Sequence, residues 1–338
     1  MTGHNMIAIG ASAGGVETLS NLVRRLPSDL NAAIFVVLHF PPHATSLLPQ
    51  ILNRLKTIPA RHPEDGDAIE PGWIYIAPPD YHLMIRQGRI RLDHGARENG
   101  HRPAIDTTFR SIAYAYSRQV IGVILTGTLD DGTAGLLTIK ARGGVAIVQD
   151  PDEALFAGMP RNAIHAVEVD EILKVREIAE RLTELATIPP QEEKPMVEGI
   201  LHEGEQVAQE KAAIERGERT GLASAFTCPD CGGVLWELQD RNLMRYRCHV
   251  GHAYSLDSLL SEKDDDLERA LWTANRALEE KAALARRMAT QARRSGHLMS
   301  ETQFLERAAE AENHAAVLKQ LLLQQIELKL QPENDEEI

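Results

Sequence analysis

Met6-Ile7-Ala8-Ile9-Gly10-Ala11-Ser12-Ala13-Gly14-Gly15 is the stretch from which the rest of the chain can be read. Its apolar start predicts a buried strand. The run breaks into a Gly-x-Ser-x-Gly turn, and the spacing from Val16 to Leu26 predicts a helix. A serine on such a strand–turn–helix bend projects from the carboxyl edge of a sheet. The N–H groups of the helix start lie beside it and can receive a developing oxyanion. Ser12 is therefore a candidate nucleophile, with the N–H groups around Ala13, Gly14 and Gly15 as candidate donors. A phosphate-binding loop or a plain tight turn fits the same stretch.

Working outward, apolar runs alternate with amphipathic stretches as far as about Leu185. Strands are expected at Met6–Gly10, Ala33–His39, Val120–Gly127 and Gly144–Gln149, with a weaker one at Ala166–Val169. Helical spacing fits Val16–Leu26, Ser46–Leu55, Ala104–Ser117, Gly132–Ala141, Pro160–Ala166 and Ile172–Ala186. This alternation implies an α/β fold, a doubly wound and mostly parallel sheet covered on both faces. Within Trp73–Leu92, the segments Ile74–Ala77, Tyr81–Arg86 and Arg89–Leu92 around a Gln87-Gly88 turn predict an antiparallel ribbon grafted onto it.

Ligands of open parallel sheets bind outside the carboxyl ends of the strands. The first strand ends in Ser12. The second ends in His39, which Pro41 and Pro42 keep at the strand's edge. The run Gly122–Leu125 leads into Thr126-Gly127-Thr128-Leu129-Asp130-Asp131-Gly132. A hydroxyl, an imidazole and a carboxylate arriving at one rim form the set needed for a nucleophile, a general base and a group that orients the base. Each has a plainer reading: a strand-end histidine is commonly a surface residue, and an aspartate before a helix is commonly its cap. The chain order Ser, His, Asp differs from the Ser, Asp, His order of the α/β-hydrolases.

Composition bounds these readings. With 338 residues, 43% hydrophobic and 25% charged, the chain is long enough for two domains. A net charge of −13 disfavours nucleic acid and anionic membranes as partners. No signal-peptide pattern precedes Met6 and no apolar run nears the length of a membrane span, so a soluble, cytoplasmic protein is expected.

After Ala186 the composition shifts. A proline-rich, charged linker begins at Ile188, and Val197–Arg216 is polar with weak helical spacing. The three cysteines then cluster as Cys228-x2-Cys231-x16-Cys248-x3-His252. This spacing predicts a zinc ribbon: two knuckles around a tetrahedral ion, with a hairpin between them. His249 competes for the fourth position, but Gly251 in Cys-His-Val-Gly-His favours His252. Four protein ligands imply structural rather than catalytic Zn2+. The set of alternatives includes three reduced, buried thiols. Beyond it, apolar residues at helical spacing from Leu267 to Ala289 and from Phe304 to Leu322 predict an antiparallel hairpin with alanine-rich seams. The segmentation expected is 1–187, an α/β domain; 188–225, a partly helical linker; 226–256, the ribbon; 257–330, the helical hairpin; and 331–338, a disordered acidic tail.

Six blocks together make the first half recognisable: Ile9–Gly15, His39-Phe40-Pro41, Ile76–Asp80, His101–Asp106, Thr126–Gly132 and Gly158-Met159-Pro160-Arg161. In this order and spacing they resemble the catalytic domain of the CheB-type chemotaxis protein-glutamate methylesterases. The resemblance implies hydrolysis of glutamate methyl esters on the cytoplasmic helices of methyl-accepting chemoreceptors, and often deamidation of receptor glutamines, without a catalytic cofactor. It matches Ser12 to the nucleophile, His39 to the base and Asp131 to the orienting aspartate, leaving Asp130 non-catalytic. It also allows a separate response regulator or methyltransferase as partner. Two departures stand out. Ala13 replaces the usual threonine, and Thr128-Leu129 replaces the usual Met-Gly. The chain begins at the first catalytic strand, so regulation by an N-terminal phosphorylatable receiver domain in cis is not expected. The Cys-Pro-Asp-Cys-Gly-Gly-Val-Leu-Trp-Glu block resembles the C-terminal extension of a subgroup of these proteins. The competing functions are a serine esterase acting on another carboxyl ester and a weakly catalytic signalling scaffold. His82 and His101 are read as structural or rim residues, Arg110 as a helix-surface salt-bridge partner, and His43 as too constrained by Pro41-Pro42 to pair with His39 on a metal.

Overall fold

In the computed structural model of the chain, residues 4–41, 45–188, 222–240 and 243–330 are described. The chain divides into two compact units, Met1–Leu259 and Leu260–Ile338. The expected linker helix, His43 and the acidic tail lie outside the described residues.

The first unit is built on a seven-stranded parallel sheet. Its core strands are β1 (Met6–Ala11), β2 (Ala33–Leu38), β3 (Ala60–Arg61) and β4 (Ile74–Ile76). An antiparallel hairpin of β5 (His82–Arg86) and β6 (Arg89–Asp93) follows. The sheet continues with β7 (Val120–Ile124), β8 (Val145–Gln149) and β9 (Glu171–Leu173), in the order β3-β4-β2-β1-β7-β8-β9. Alternating side chains of each strand divide between two cores. Ile7, Ile9, Val36 and Val123 face helices α1 (Gly15–Val23), α2 (Leu48–Asn53) and α6 (Val175–Leu185). Ala8, Phe35, Val37 and Val148 face α3 (Ile105–Tyr116), α4 (Thr133–Ala141), α5 (Gly158–Ala166) and the hairpin. Burial on both faces is why these strands are continuous apolar runs.

Two expectations are corrected. Ile74–Ile76 belongs to the parallel sheet, in register with Ile34–Val36, and only β5 and β6 form the ribbon. The weak strand sought at Ala166–Val169 is instead Glu171–Leu173, at the sheet's edge. Its Ile172 is 46% exposed, so the segment reads as part of the amphipathic helix that follows.

The sequence direction of the sheet reverses at β1, whose neighbours are β2 and β7. The crevice at that switch point opens at the carboxyl ends of these three strands.

The first unit also contains a four-stranded antiparallel sheet of β10 (Leu222–Thr227), β11 (Val234–Asp240), β12 (Leu243–Cys248) and β13 (Ala253–Ser255). It packs on the α/β layers through residues 97–99. The Ala253 N–H donates to the Arg97 carbonyl and the Asn99 N–H to the Ala253 carbonyl, at 3.2 and 2.8 Å. Helix α7 (Leu256–Arg294) starts directly after β13. Within the second unit, the rest of α7 and helix α8 (Leu298–Leu330) form a hairpin. Its seam buries Ala282, Ala285, Ala289, Ala308, Ala311 and Ala315, and Arg286 pairs with Glu312 at 2.7 Å. Among the described residues no helix is long and apolar enough to cross a membrane.

Candidate active site and metal centre

Ser12 follows β1 in a turn closed by the Gly15 N–H on the Ser12 carbonyl, at 2.9 Å. Gly14 sits at φ 75°, and a Cβ there would lie 3.2 Å from Leu155 and 3.3 Å from the Thr126 hydroxyl, so this position calls for glycine. The next loop approaches just as closely. A Cβ on Gly127 would lie 2.1 Å from Met159 Sδ and 2.9 Å from Ser12 Cβ. Thr126 ties the two loops together: its carbonyl accepts the Ser12 N–H at 3.0 Å and its hydroxyl donates to the Ala13 carbonyl at 3.0 Å. Because a trans peptide opposes its C=O and N–H, that bond aims the Gly14 N–H the other way. Of the three expected oxyanion donors, Gly15 is committed to the turn. Ala13 and Gly14 engage their N–H groups with no partner among the described residues.

His39 follows β2 and reaches both ways. Its Nδ1 lies 3.0 Å from Ser12 Oγ and its Nε2 lies 2.8 Å from Asp131 Oδ2. An ionised carboxylate only accepts, so Asp131 fixes the proton on Nε2 and leaves Nδ1 to accept from the serine hydroxyl. Asp131 is buried and also accepts from the N–H groups of Ile105 (2.7 Å) and Asp106 (3.2 Å) and from Asn99 Nδ2 (3.0 Å). Burial would raise its carboxyl, but the hydrogen bond and charge of His39, with His101 and the Ile105 N–H, outweigh it. They hold Asp131 well below the usual carboxylate range.

The surroundings are more elaborate than strand-end reading shows. His101 stacks on His39 with ring centroids 3.6 Å apart. Burial first, and the neighbouring His39 second, lower its imidazole to about 3, so His101 presents a neutral ring. Asp106 caps the loop before α4 through the N–H groups of Gly132 (3.1 Å) and Gly135 (2.6 Å). Burial, and then Asp131, push Asp106 up to about 7. Arg110 is not a surface residue: it is 3% exposed and pairs with the buried Glu98, which Arg245 and Arg247 of β12 also approach at 3.2 and 3.3 Å. His82 is buried with Nε2 2.9 Å from the Ala96 carbonyl, a structural position. Asp130 accepts from Ser255 Oγ at 2.7 Å rather than reaching His39. Asp106 closes the block His101–Asp106, whereas Asn99 and Arg110 lie outside every such block, and periodicity gives no reason to send any of the three side chains inward.

Cys228, Cys231, Cys248 and His252 form a second cluster, with ligand atoms all within 4.8 Å of one another. Cys231 Sγ lies 3.6 Å from Cys248 Sγ, and His252 Nδ1 lies 3.6 and 3.5 Å from the sulfurs of Cys228 and Cys248. A tetrahedron with metal–sulfur bonds of about 2.3 Å and metal–nitrogen bonds of about 2.05 Å has edges of about 3.6–3.8 Å, so the group could hold a metal ion. All three cysteines are free thiols. Each pair sits on a tight turn, closed by Gly232 N–H on the Cys228 carbonyl (2.8 Å) and Gly251 N–H on the Cys248 carbonyl (3.0 Å). His249 is not part of the cluster.

A doubly wound sheet presenting serine, histidine and aspartate at its switch point is an architecture suited to serine hydrolases. Comparison with known proteins narrows the class. The profile of the CheB methylesterase family matches residues 7–182, just over half of the chain, and the protein belongs to that family. A protein-glutamate methylesterase/protein-glutamine glutaminase of Symbiobacterium thermophilum is 38% identical over 53% of this chain and 49% of its own length. A putative one from Leptospira interrogans is 39% identical over 52% of this chain and 92% of its own length. The crystal structure of the Thermotoga maritima CheB methylesterase catalytic domain matches with a TM-score of 0.52 and 36% identity, covering 55% of this chain and all of that one. The chain thus spans about half the length of several curated relatives, and the ribbon and helical hairpin lie beyond the matched region.

Proposed function

We propose that this chain is a protein-glutamate methylesterase that hydrolyses glutamate γ-methyl esters on the cytoplasmic helices of chemoreceptors, with Ser12, His39 and Asp131 as its catalytic triad. The observation that carries the reading is the continuous hydrogen-bonded line from Ser12 Oγ through both nitrogens of His39 to Asp131, in a chain of this family.

In this mechanism, Ser12 Oγ attacks the ester carbonyl while its proton passes to His39 Nδ1. The N–H groups of Ala13 and Gly14 receive the oxyanion. The C–O bond to methoxide breaks, His39 returns the proton, and methanol departs, leaving Ser12 acylated. Water then attacks the acyl group, losing a proton to His39, and the glutamate carboxylate is released as Ser12 regains its hydrogen. Throughout, Asp131 holds the tautomer and faces the imidazolium. Glutamine deamidation follows the same course with ammonia leaving. Cys228, Cys231, Cys248 and His252 would hold Zn2+, which would fasten the two knuckles and, with four protein ligands, would supply no binding position for substrate.

The test is a serine-directed fluorophosphonate. It should label Ser12, as located by peptide mapping, and Ser12→Ala should lose both labelling and turnover of p-nitrophenyl acetate while keeping its fold. Full turnover in Ser12→Ala would overturn the mechanism. Ser12-dependent turnover of the small ester without methanol release from a methylated receptor fragment would reassign the substrate to another carboxyl ester.

A further inference from the structure

The side chain of Asn99 stands between the triad and an element that lies beyond the family-matched residues 7–182. Asn99 is 3% exposed and uses its whole amide. Nδ2 donates to Asp131 Oδ1 at 3.0 Å and to Asp106 Oδ2 at 3.2 Å. Oδ1 accepts the Ser255 N–H and the Ser258 hydroxyl, both at 3.0 Å. A flipped amide would set its NH2 against the Ser255 N–H and its oxygen against two carboxyl groups, so the orientation is fixed by its partners. Its backbone is equally constrained, at φ 51°, in the left-handed region that asparagine tolerates better than most residues.

The partners on the Oδ1 side belong to the ribbon. Ser255 ends β13, which begins immediately after the cluster residue His252, and Ser258 lies in the first turn of α7. Neighbouring contacts brace the same joint. Three guanidinium groups surround the buried Glu98 and, against the effect of its burial, hold its carboxyl well below the usual range. Two of them, Arg245 and Arg247, come from β12. The Ser255 hydroxyl also donates to Asp130, adjacent to Asp131. Residues 253–258 thus grip the segment that carries Asn99.

We propose that Asn99 is a positioning residue that couples the Cys3His ribbon to Asp131, so that loosening the ribbon's hold on Asn99 lowers turnover although no ribbon residue touches the reacting atoms. The ribbon then completes the active-site framework and makes esterase activity depend on a metal that takes no part in the chemistry. The inference rests on the triad reading of Ser12, His39 and Asp131.

The test is a double-mutant cycle with Ser258→Ala and Asn99→Ala in the full chain, assayed on p-nitrophenyl acetate, with zinc content and circular dichroism confirming a folded, loaded protein. Loss of one hydrogen bond to Asn99 should lower kcat about 3-fold in Ser258→Ala, and loss of the bonds to the carboxyl groups about 10- to 100-fold in Asn99→Ala, with KM little changed in both. The double variant should match Asn99→Ala alone, because the effect of Ser258 is routed through that amide. Equal loss from Ser258→Ala in both backgrounds, or wild-type kcat in either single variant, overturns the proposal. A second readout needs no turnover: the low-field NMR resonance of the His39 Nε2 proton should shift in Ser258→Ala, and an unmoved resonance in both single variants also overturns it. If the wild type shows no Ser12-dependent turnover, the triad reading fails, and the NMR arm alone decides the coupling.

Discussion

Replacing Asp131 by asparagine tests the aspartate's role with the smallest change of shape. Its two oxygens accept four N–H groups: His39 Nε2 (2.8 Å) and Ile105 N (2.7 Å) on Oδ2, Asn99 Nδ2 (3.0 Å) and Asp106 N (3.2 Å) on Oδ1. An asparagine keeps one accepting oxygen. Whichever way its amide turns, NH2 faces two donors, one of which is a backbone N–H. Two buried donors left facing a donor, at about 1–3 kcal/mol each, give a destabilisation of about 2–6 kcal/mol. The kinetic cost is larger. If the NH2 faces His39, the imidazole must take the tautomer with its proton toward Ser12 and cannot accept the serine's hydrogen. In serine proteases the corresponding change costs about 10⁴ in kcat, and a fall of about 10³–10⁴ is expected here. Urea unfolding gives the first quantity, and turnover of p-nitrophenyl acetate gives the second. An Asp131→Asn protein with wild-type stability and kcat within about threefold of wild type would refute the reasoning.

Gly127→Ala should destabilise the fold by about 1–3 kcal/mol and reduce kcat more than it raises KM, since the new Cβ meets Met159 Sδ and Ser12 Cβ; thermal melts and ester kinetics check both. Asp130 is pushed up to about 6, by burial first and then by Asp257 and Asp131, with the Ser255 hydroxyl opposing. Its folded pKa therefore exceeds the unfolded value of about 3.9, so its contribution is most favourable below pH 4 and declines as pH rises to about 6. Asp130→Asn should flatten the fall in urea-unfolding stability between pH 4 and 7 by about 1–2 kcal/mol, and an unchanged pH profile would contradict the assignment. Cys248→Ser should lower zinc content, measured by elemental analysis, from about one per chain toward none, with loss of protection from hydrogen exchange across β11 to β13.

Much of this architecture is visible in the sequence because both faces of the main sheet are buried, leaving unbroken apolar strands whose ends can be located. Ser12, His39 and Asp131 each follow such a strand, so their shared rim can be deduced. The short edge strand Glu171–Leu173 could not be, since its polar, half-exposed residues merge with the helical period that follows. Ile74–Ile76 carries the same apolar signal as the hairpin beside it, and only long-range pairing with β2 separates the two. Asn99, Thr126 and Arg110 escape periodicity altogether: each is a polar residue turned inward by partners distant in the chain. The cysteine and histidine spacing names a metal-site candidate, but nothing local discloses that the strand after His252 lies against the segment holding Asn99.

The most direct measurement is methanol released from a methylated chemoreceptor cytoplasmic fragment by the wild type and by Ser12→Ala. Stoichiometric release by the wild type and none above background by the variant are expected. Undiminished release by Ser12→Ala, or none by a folded, metal-loaded wild type, would contradict it.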